Sequence, residues 1–177
     1  ARLLQTSDLT EENRQEYAKA ISQNCQQLTS LITNILKLNK LENQQIYPKV
    51  PPYDLGEQLR ECLLGFEEAW SAKNLELEVE IEDGIMTTTD GQLLSLIWNN
   101  FISNAIKFTP ENRKMTVRLQ KLGELIQVSV QDSGCGMDEK TMSHIFEKFY
   151  QGDTSHATKG NGLGLALAAR VADICKG

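Results

Sequence analysis

The chain reads VQDSGCGM over residues 130–137, directly after the alternating apolar and polar segment LIQVSV of residues 125–130. The alternation predicts a half-buried strand that ends near Asp132. Glycines at positions 134 and 136 let the backbone approach closely, so the carboxylate of Asp132 would lie at the mouth of a pocket walled by bare main chain. A strand that ends in Asp-Ser-Gly is also typical of a simple turn, and this segment alone leaves both interpretations open.

Three more motifs flank this segment: NFISNAIKFTP at residues 100–110, FEKFY at residues 146–150 and GNGLGLAL at residues 160–167. In the first motif Asn100, Asn104 and Lys107 are four and three residues apart, which places them on one helix face. Such polar groups on an otherwise buried helix are costly unless they meet a polar, anionic partner. A solvated helix face with a hydrogen-bonded Asn is the alternative.

The last motif has glycines at positions 160, 162 and 164, directly before a predicted helix. Glycines at a helix N-terminus expose backbone N–H groups and the positive end of the helix dipole, which suits a phosphate. A flexible loop that leads into a helix would give the same pattern. The sequence contains neither a G-x-G-x-x-G motif directly after a strand nor a G-x-x-x-x-G-K-[ST] P-loop.

In this order and spacing the four motifs resemble the asparagine box, first glycine box, phenylalanine box and second glycine box of sensor histidine kinases, over nearly the whole chain. The resemblance implies the ATP-binding (Bergerat) fold of the gyrase, Hsp90, histidine kinase and MutL group. Helices on one face of a mixed sheet make such a domain an α+β two-layer sandwich. We therefore expect this fold, preceded by an N-terminal helix of the dimerisation type.

The same resemblance implies ATP and Mg²⁺ as ligands. Asn100 would ligate the magnesium ion, while Asn104 and Lys107 would contact the phosphates, with Asn100 and Lys107 as the catalytic residues. Asp132 would accept a hydrogen bond from the exocyclic amine of adenine, and because an ionised carboxylate can only accept, ATP should be preferred to GTP. The other expected nucleotide contacts are Gly134, Gly136, Lys148, Phe149, Gly160, Gly162, Leu163 and Gly164.

Residues 146–161 resemble the mobile lid that covers the nucleotide in this family. Phe146 and Phe149 would anchor its hinge in the core, and Lys148 and Lys159 could reach the phosphates. Plain core packing is the alternative for the two phenylalanines. His156 in this segment is more typical of an exposed loop than of a catalyst.

Composition excludes several other classes of protein. The net charge of -6 argues against a nucleic-acid partner, which would need clustered Lys and Arg. No apolar run approaches membrane-spanning length, and no signal peptide opens the sequence. The four cysteines contain no C-x-x-C pair, so neither a disulfide framework nor a zinc site is expected. A reducing, cytoplasmic compartment fits best.

Neither Gly nor Pro interrupts residues 11–42, where apolar residues recur at spacings of three, four or seven. The stripe predicts an amphipathic helix that packs against other helices. It is either an ordinary core helix or, as the resemblance implies, one arm of a hairpin that dimerises into a bundle. Residues 1–48 would then be a partial dimerisation and histidine-phosphotransfer region, and residues 49–177 the catalytic domain.

The catalytic region shows alternating and helical patterns in turn. They predict an edge strand at Tyr53-Asp54, a helix from Leu55 to Lys73, a strand at 75–81 and a helix from Gly91 to Phe108. Two strands at 115–121 and 125–131, a short helix around 140–146 and a final helix from Gly164 to Lys176 follow.

Two features depart from the family pattern. The acceptor histidine of these kinases precedes Glu or Asp, an apolar residue, Arg, Thr and Pro, a context that neither His144 nor His156 has. We therefore expect the acceptor helix, and closing strands of the sheet after Gly177, to lie outside this sequence. The related ATPases place a general-base Glu four residues before the magnesium Asn; Leu96 stands there and cannot activate water, so rapid hydrolysis is not expected.

The resemblance thus implies a protein-histidine kinase domain that transfers the γ-phosphoryl group of ATP to a histidine, for relay to an aspartate in the receiver domain of a response regulator. It further implies a cytoplasmic domain within a homodimeric parent protein, anchored in the plasma membrane only through segments outside these residues. Two alternatives stay open. One is an ATPase or serine kinase of the same superfamily, and the other is an inactive pseudokinase that serves as a dimeric interaction module.

Overall fold

The computed structural model describes residues 10–43, 50–152 and 160–177. A long helix, α1 (Glu11–Asn43), is followed by an α+β region. The elements of that region are β1 (Tyr53–Asp54), α2 (Leu55–Leu64), α3 (Glu67–Ala72), β2 (Glu76–Ile81), β3 (Met86–Thr87), α4 (Gly91–Phe108), β4 (Lys114–Leu122), β5 (Leu125–Asp132), α5 (Glu139–His144) and α6 (Gly164–Cys175). None of the helices in the described ranges has the length and apolarity that crossing a bilayer requires.

The main sheet has three strands in the order β2-β4-β5. β2 runs parallel to β4, with Val79 opposite Val117, and β5 returns antiparallel to β4 through the turn at Gly123. β1 and β3 form a separate antiparallel pair. The parallel and antiparallel pairings together confirm the predicted mixed sheet.

One face of the sheet is covered by helices and the other is polar. The inward side chains of β4 (Met115, Val117 and Leu119) are fully buried, whereas Lys114 and Arg118 point outward and form ion pairs with glutamates of β2. Against the inner face lie α4, through Ile102, and α6, through Leu167 and Val171, all of them buried. This confirms the predicted α+β two-layer sandwich, in which α4 and α6 pack side by side.

Helix α1 begins where the sequence predicts, because the hydroxyl of Thr10 accepts a hydrogen bond from the Asn13 N–H at 3.3 Å. Only its C-terminal part packs firmly: Leu38 and Leu41 belong to the buried core, and Arg170 of α6 donates to the Leu41 carbonyl at 3.5 Å. The stripe was expected to pack against other helices. Within this chain several apolar residues of α1 are largely exposed: Leu28, Ile32, Ile35 and Leu36.

The prediction of one helix from Leu55 to Lys73 is wrong. The chain forms two helices, α2 and α3, because the turn breaks at Gly65, whose N–H bonds the carbonyls of Glu61 and Leu63. Glycine is a poor helix former, and Phe66 then leaves the helical conformation with φ −110° and ψ 13°. The two-residue strand β3 was not predicted, since it is too short to show alternation.

Candidate functional site

A single cavity of about 1540 Å³ lies between α4, the end of β5, α5 and the start of α6, with α1 as its far wall. Small-ligand pockets typically enclose about 300–1000 Å³, so the space is ample for one nucleotide. The structure brings nine of the predicted site residues to this cavity: Asn100, Asn104, Lys107, Asp132, Gly136, Phe149, Gly160, Gly162 and Gly164.

The amide face of α4 is oriented by the helix itself. Asn100 donates its Nδ2–H to the Leu96 carbonyl at 2.7 Å, which leaves the amide oxygen, Oδ1, as an acceptor on the cavity side. That oxygen lies against Gly164 at the first turn of α6, where a Cβ atom would overlap with it. A Cβ at position 164 would displace the Asn100 amide, so glycine there lets α6 begin this close without disturbing it.

Lys107 is half-buried on the same face of α4. Its ammonium lies 4.7 Å from the centre of the Phe108 ring and 3.0 Å from the position that a Cβ of Gly160 would occupy. Burial lowers the pKa of Lys107, because the charged form loses solvation. The site thus holds a partly desolvated cation between α4 and the glycine motif, and such a cation gains by meeting an anionic ligand.

Asp132 ends β5 opposite Met115 of β4. Its Oδ1 accepts the Gly134 N–H at 2.8 Å, which fixes the side chain at the start of the loop. Gly134 itself packs against α4, where a Cβ would come within 2.6 Å of the Phe108 carbonyl oxygen. Gly136 has φ +67°, a conformation that glycine adopts without strain.

The segment after α5 is joined to the glycine motif by its backbone. Phe149 N–H donates to the Gly162 carbonyl at 2.8 Å, and the Gln151 side chain donates to the Gly160 carbonyl, also at 2.8 Å. Gly162 has φ +64°, and a Cβ there would lie 2.6 Å from both the Phe149 carbonyl carbon and the Tyr150 carbonyl oxygen. Glycine is required at this position for both reasons.

Comparison with known proteins identifies the family of this domain. Residues 89–177, half of the chain, match the family model described as histidine kinase-, DNA gyrase B- and HSP90-like ATPase. The chain belongs to this family. It carries the ATP-binding domain of that family, with the α+β fold that the sequence predicted.

Individual relatives and structures agree with this family assignment. The swarming motility regulation sensor protein RssA of Serratia marcescens is 28% identical over 171 residues, which are 96% of this chain and 36% of RssA. Full-length ShkA, solved in complex with AMPPNP, is 28% identical with a TM-score of 0.74, over 97% of this chain and 36% of ShkA. The histidine kinase ThkA, in complex with the response regulator TrrA, is 22% identical with a TM-score of 0.72, over 85% of this chain and 44% of that one. The chain thus spans about a third of the length of RssA and of ShkA.

Several expectations for this ATPase-family site need correction. Leu163 is 1% exposed and belongs to the core, so its side chain lies away from the cavity. Lys148 is exposed and Gly134 packs under the loop, and neither lines the cavity. The carboxylate of Asp132 is exposed, as fits a position at the mouth of the cavity. Lys159 and His156 lie outside the described residues.

The expectation that Phe146 and Phe149 anchor a hinge in the core is wrong. The two side chains are 55% and 59% exposed, and both line the cavity. Phe149 has a left-handed backbone with φ +66°, and its N–H bonds the Gly162 carbonyl. Sequence alone does not show that these two apolar residues are exposed at the cavity.

Some cavity residues were missed. Asn161 lies inside the glycine motif and accepts the Leu163 N–H through Oδ1 at 3.3 Å, so the motif itself could have identified it. Thr141 and Gln151 flank the phenylalanine motif without any distinguishing pattern. His144 pairs with Glu147 at 2.7 Å and contacts the Tyr150 ring, and these contacts account for it structurally.

No cluster of three or more His, Cys, Asp or Glu side chains that could hold a metal occurs in the described part of the chain. The Oδ1 atom of Asn100 nevertheless fits Mg²⁺, which prefers oxygen ligands and is usually held by few protein groups together with phosphates and water. The donor set therefore suits a magnesium ion that arrives with a nucleotide rather than one bound by the protein alone.

Proposed function

We propose that residues 49–177 are the ATP-binding catalytic domain of a sensor histidine kinase, acting with Mg²⁺. The observation that carries this proposal is the convergence of the α4 amide face, Asp132 and the glycine motif on one cavity. Each of these comes from a separate part of the sequence, and each brings a polar group or a backbone N–H to the same space. Residues 1–48 contribute part of the dimerisation and histidine-phosphotransfer region.

The polar residues divide the cavity into two ends. Asp132 accepts a hydrogen bond from the adenine amine at one end, while Asn104, Lys107 and the backbone of the glycine motif hold the phosphates at the other. The metal would be held by Asn100 Oδ1 and would offset charge on the phosphates. Lys107 adds a second positive charge where negative charge develops.

The reaction is phosphoryl transfer to a histidine nitrogen. The bond between the γ-phosphorus and the β–γ bridging oxygen breaks, a phosphorus–nitrogen bond forms, and ADP leaves. The protein's contribution is to position and to offset charge. Water is not activated, because Leu96 stands one turn before Asn100 and has no basic group. Transfer therefore depends on an acceptor histidine brought to the cavity by another segment.

The family also supports a proposal for the partners of this domain and its place in the cell. ThkA was solved in complex with a response regulator, TrrA, and we infer that a receiver domain is likewise the final phosphate acceptor here. Helix α1 supplies the homodimer contact. The parent protein would present this domain in the cytoplasm and be anchored in the membrane by segments outside residues 1–177.

Calorimetric titration with Mg-ATP tests the proposal through Asp132→Asn. The amide oxygen of Asn can still accept the Gly134 N–H, so the fold is kept, but its N–H₂ group can oppose the adenine amine. Loss of a hydrogen bond to a charged group weakens binding by about 10- to 100-fold. Asp83→Asn, at an exposed carboxylate that pairs with Arg60, is the matched control and should bind ATP normally. GTP should bind poorly to the wild type.

Phosphotransfer is tested separately. A bundle fragment that carries an acceptor histidine should become labelled from γ-labelled ATP, and the product should be acid-labile. An acid-stable product would identify a serine kinase instead. Absence of ATP binding by the wild-type chain would favour the dimeric interaction module and reject the catalytic assignment.

A further inference from the structure

The C-terminus of α4 has more backbone acceptors than the helix can satisfy. The last four carbonyls of any helix lack intrahelical donors. The helix ends at Phe108, and Pro110 has no N–H with which to bond the Ile106 carbonyl, its ordinary partner four residues back. Both donors of Thr109, its N–H and its hydroxyl, bond the same carbonyl, that of Ala105. The carbonyls that follow need donors from elsewhere in the fold.

Lys73, at the end of α3, supplies them. Its ammonium donates to the carbonyls of Ile106 at 2.7 Å, Lys107 at 3.0 Å and Thr109 at 2.8 Å. An ammonium has three N–H donors, and all three are used here. A cation at a helix C-terminus is also favoured by the helix dipole. The stem of Lys73 is half-buried, and its own carbonyl accepts the Asn112 N–H at 2.9 Å, so the residue is fixed at both ends.

The turn that Lys73 holds is the one on which both ends of the cavity depend. It carries the Lys107 side chain, which reaches toward Gly160. It also presents the Phe108 carbonyl to Gly134, whose N–H orients Asp132. A shift of this turn would therefore move the Lys107 ammonium. It would also loosen the packing of the loop that holds Asp132 and Gly134.

We propose that Lys73 is a positioning residue for the nucleotide site, acting through the C-terminal turn of α4 on Lys107 and Asp132 without touching the ligand. The inference rests on the function proposed above. Helix α3 contributes no residue to the cavity lining, yet its lysine donates to three backbone carbonyls beside the cavity. A positioning role explains this arrangement.

The test is Lys73→Met, which keeps the apolar stem and removes the three donors. Mg-ATP affinity is measured by calorimetry at low temperature, where the variant is folded, beside its thermal unfolding. Affinity should fall by about tenfold, because the carbonyls left without donors pull the turn toward water. Lys73→Arg, which keeps the charge and several donors, should recover most of the affinity.

Asp90→Ala is the matched control, since it removes the cap at the opposite end of α4, where Asp90 accepts the N–H groups of Gln92 and Leu93. It should lower the unfolding temperature without changing ATP affinity. Should Lys73→Met fail to fold, Lys73→Gln takes its place, with a fall of about threefold expected.

Wild-type affinity in the Lys73 variants, or an equal loss in Asp90→Ala, would overturn the positioning role. Wild-type protein that binds no ATP would reject the proposed function first and the inference with it. The inference alone would be rejected if the wild type binds Mg-ATP, Asp132→Asn does not, and Lys73→Met binds it as tightly as the wild type.

Discussion

Lys107 is the residue at which folding and ligand binding make opposite demands. Partial burial on α4 disfavours its charge and lowers the pKa of the ammonium. The stability penalty of the charged form is present below the folded pKa and is relieved as the pH rises through it. The affinity for phosphates has the opposite pH dependence, because it requires the protonated ammonium of Lys107. Burial makes that proton easier to lose.

We therefore predict that the ATP affinity of the wild type falls as the pH rises toward the ordinary lysine pKa, and that the fall begins at a lower pH than an exposed lysine would give. Lys107→Arg should bind with little change over this range, because guanidinium stays protonated. Calorimetric titrations at a series of pH values provide the measurement. Parallel pH profiles for the two proteins would show that another group is responsible.

The functional residues were predictable wherever local periodicity fixes their placement. Asn100, Asn104 and Lys107 share a face on any α-helix, so their convergence followed from spacing alone. Leu163 was misassigned because its neighbours in the glycine motif face the cavity while the first turn of α6 directs it into the core. Lys73 had no signal at all, since its partners are backbone carbonyls more than thirty residues away.

At the scale of elements, the site depends on how closely α6 and the segment after α5 approach α4. Gly164 lies against Asn100, and Gly162 lies against the backbone of Phe149 and Tyr150. Two glycines two residues apart thus bring three elements into contact without intervening side chains. The glycine motif is a packing device as well as a source of N–H groups for phosphate.

Gly162→Ala tests this packing, with Gly123→Ala as a control of nearly identical backbone geometry. The two glycines have φ +64° and +63°, but a Cβ on Gly123 would meet nothing within 4 Å. Gly123→Ala should cost about 1 kcal/mol of unfolding free energy, from the left-handed conformation alone. Gly162→Ala should cost about 2–3 kcal/mol, because the Phe149 segment must also move. Chemical denaturation measures both values.

Only Gly162→Ala should also weaken Mg-ATP binding, since the displaced segment lines the cavity. Equal stability losses and unchanged affinity in both variants would show that the close approach at Gly162 has no consequence for the site.

Element type was predictable where a pattern runs for several turns or several alternations, as in α1, α4, β4 and β5. The break between α2 and α3 was not, because one glycine inside an apolar helical pattern is compatible with a continuous helix. Phe149 is held by a tertiary hydrogen bond from its N–H to the Gly162 carbonyl. Periodicity contains no information about such a contact.

At the scale of the whole molecule, α1 has two apolar faces with different surroundings. Leu38 and Leu41 pack into the core near α6, which joins the helix to the α+β layer. Another set, which includes Ile32 and Leu36, is 57% and 65% exposed. A helix with an exposed apolar stripe lacks the burial that normally stabilises helices in proteins. Such a stripe therefore indicates a partner surface. A second copy of α1 offers one, as in a helical bundle.

We predict that the chain dimerises through this face, and that Ile32→Glu dissociates the dimer without unfolding the α+β layer. Burying a carboxylate in an apolar helix contact is strongly unfavourable. Leu64→Glu makes the same kind of change at a leucine of α2 that is 62% exposed, and it should leave the dimer intact. Sedimentation equilibrium gives the mass of each variant, and Mg-ATP titration reports whether the cavity survives. A wild-type chain that sediments as a monomer, or an Ile32→Glu variant that remains dimeric, would show that α1 does not form the homodimer contact through this face.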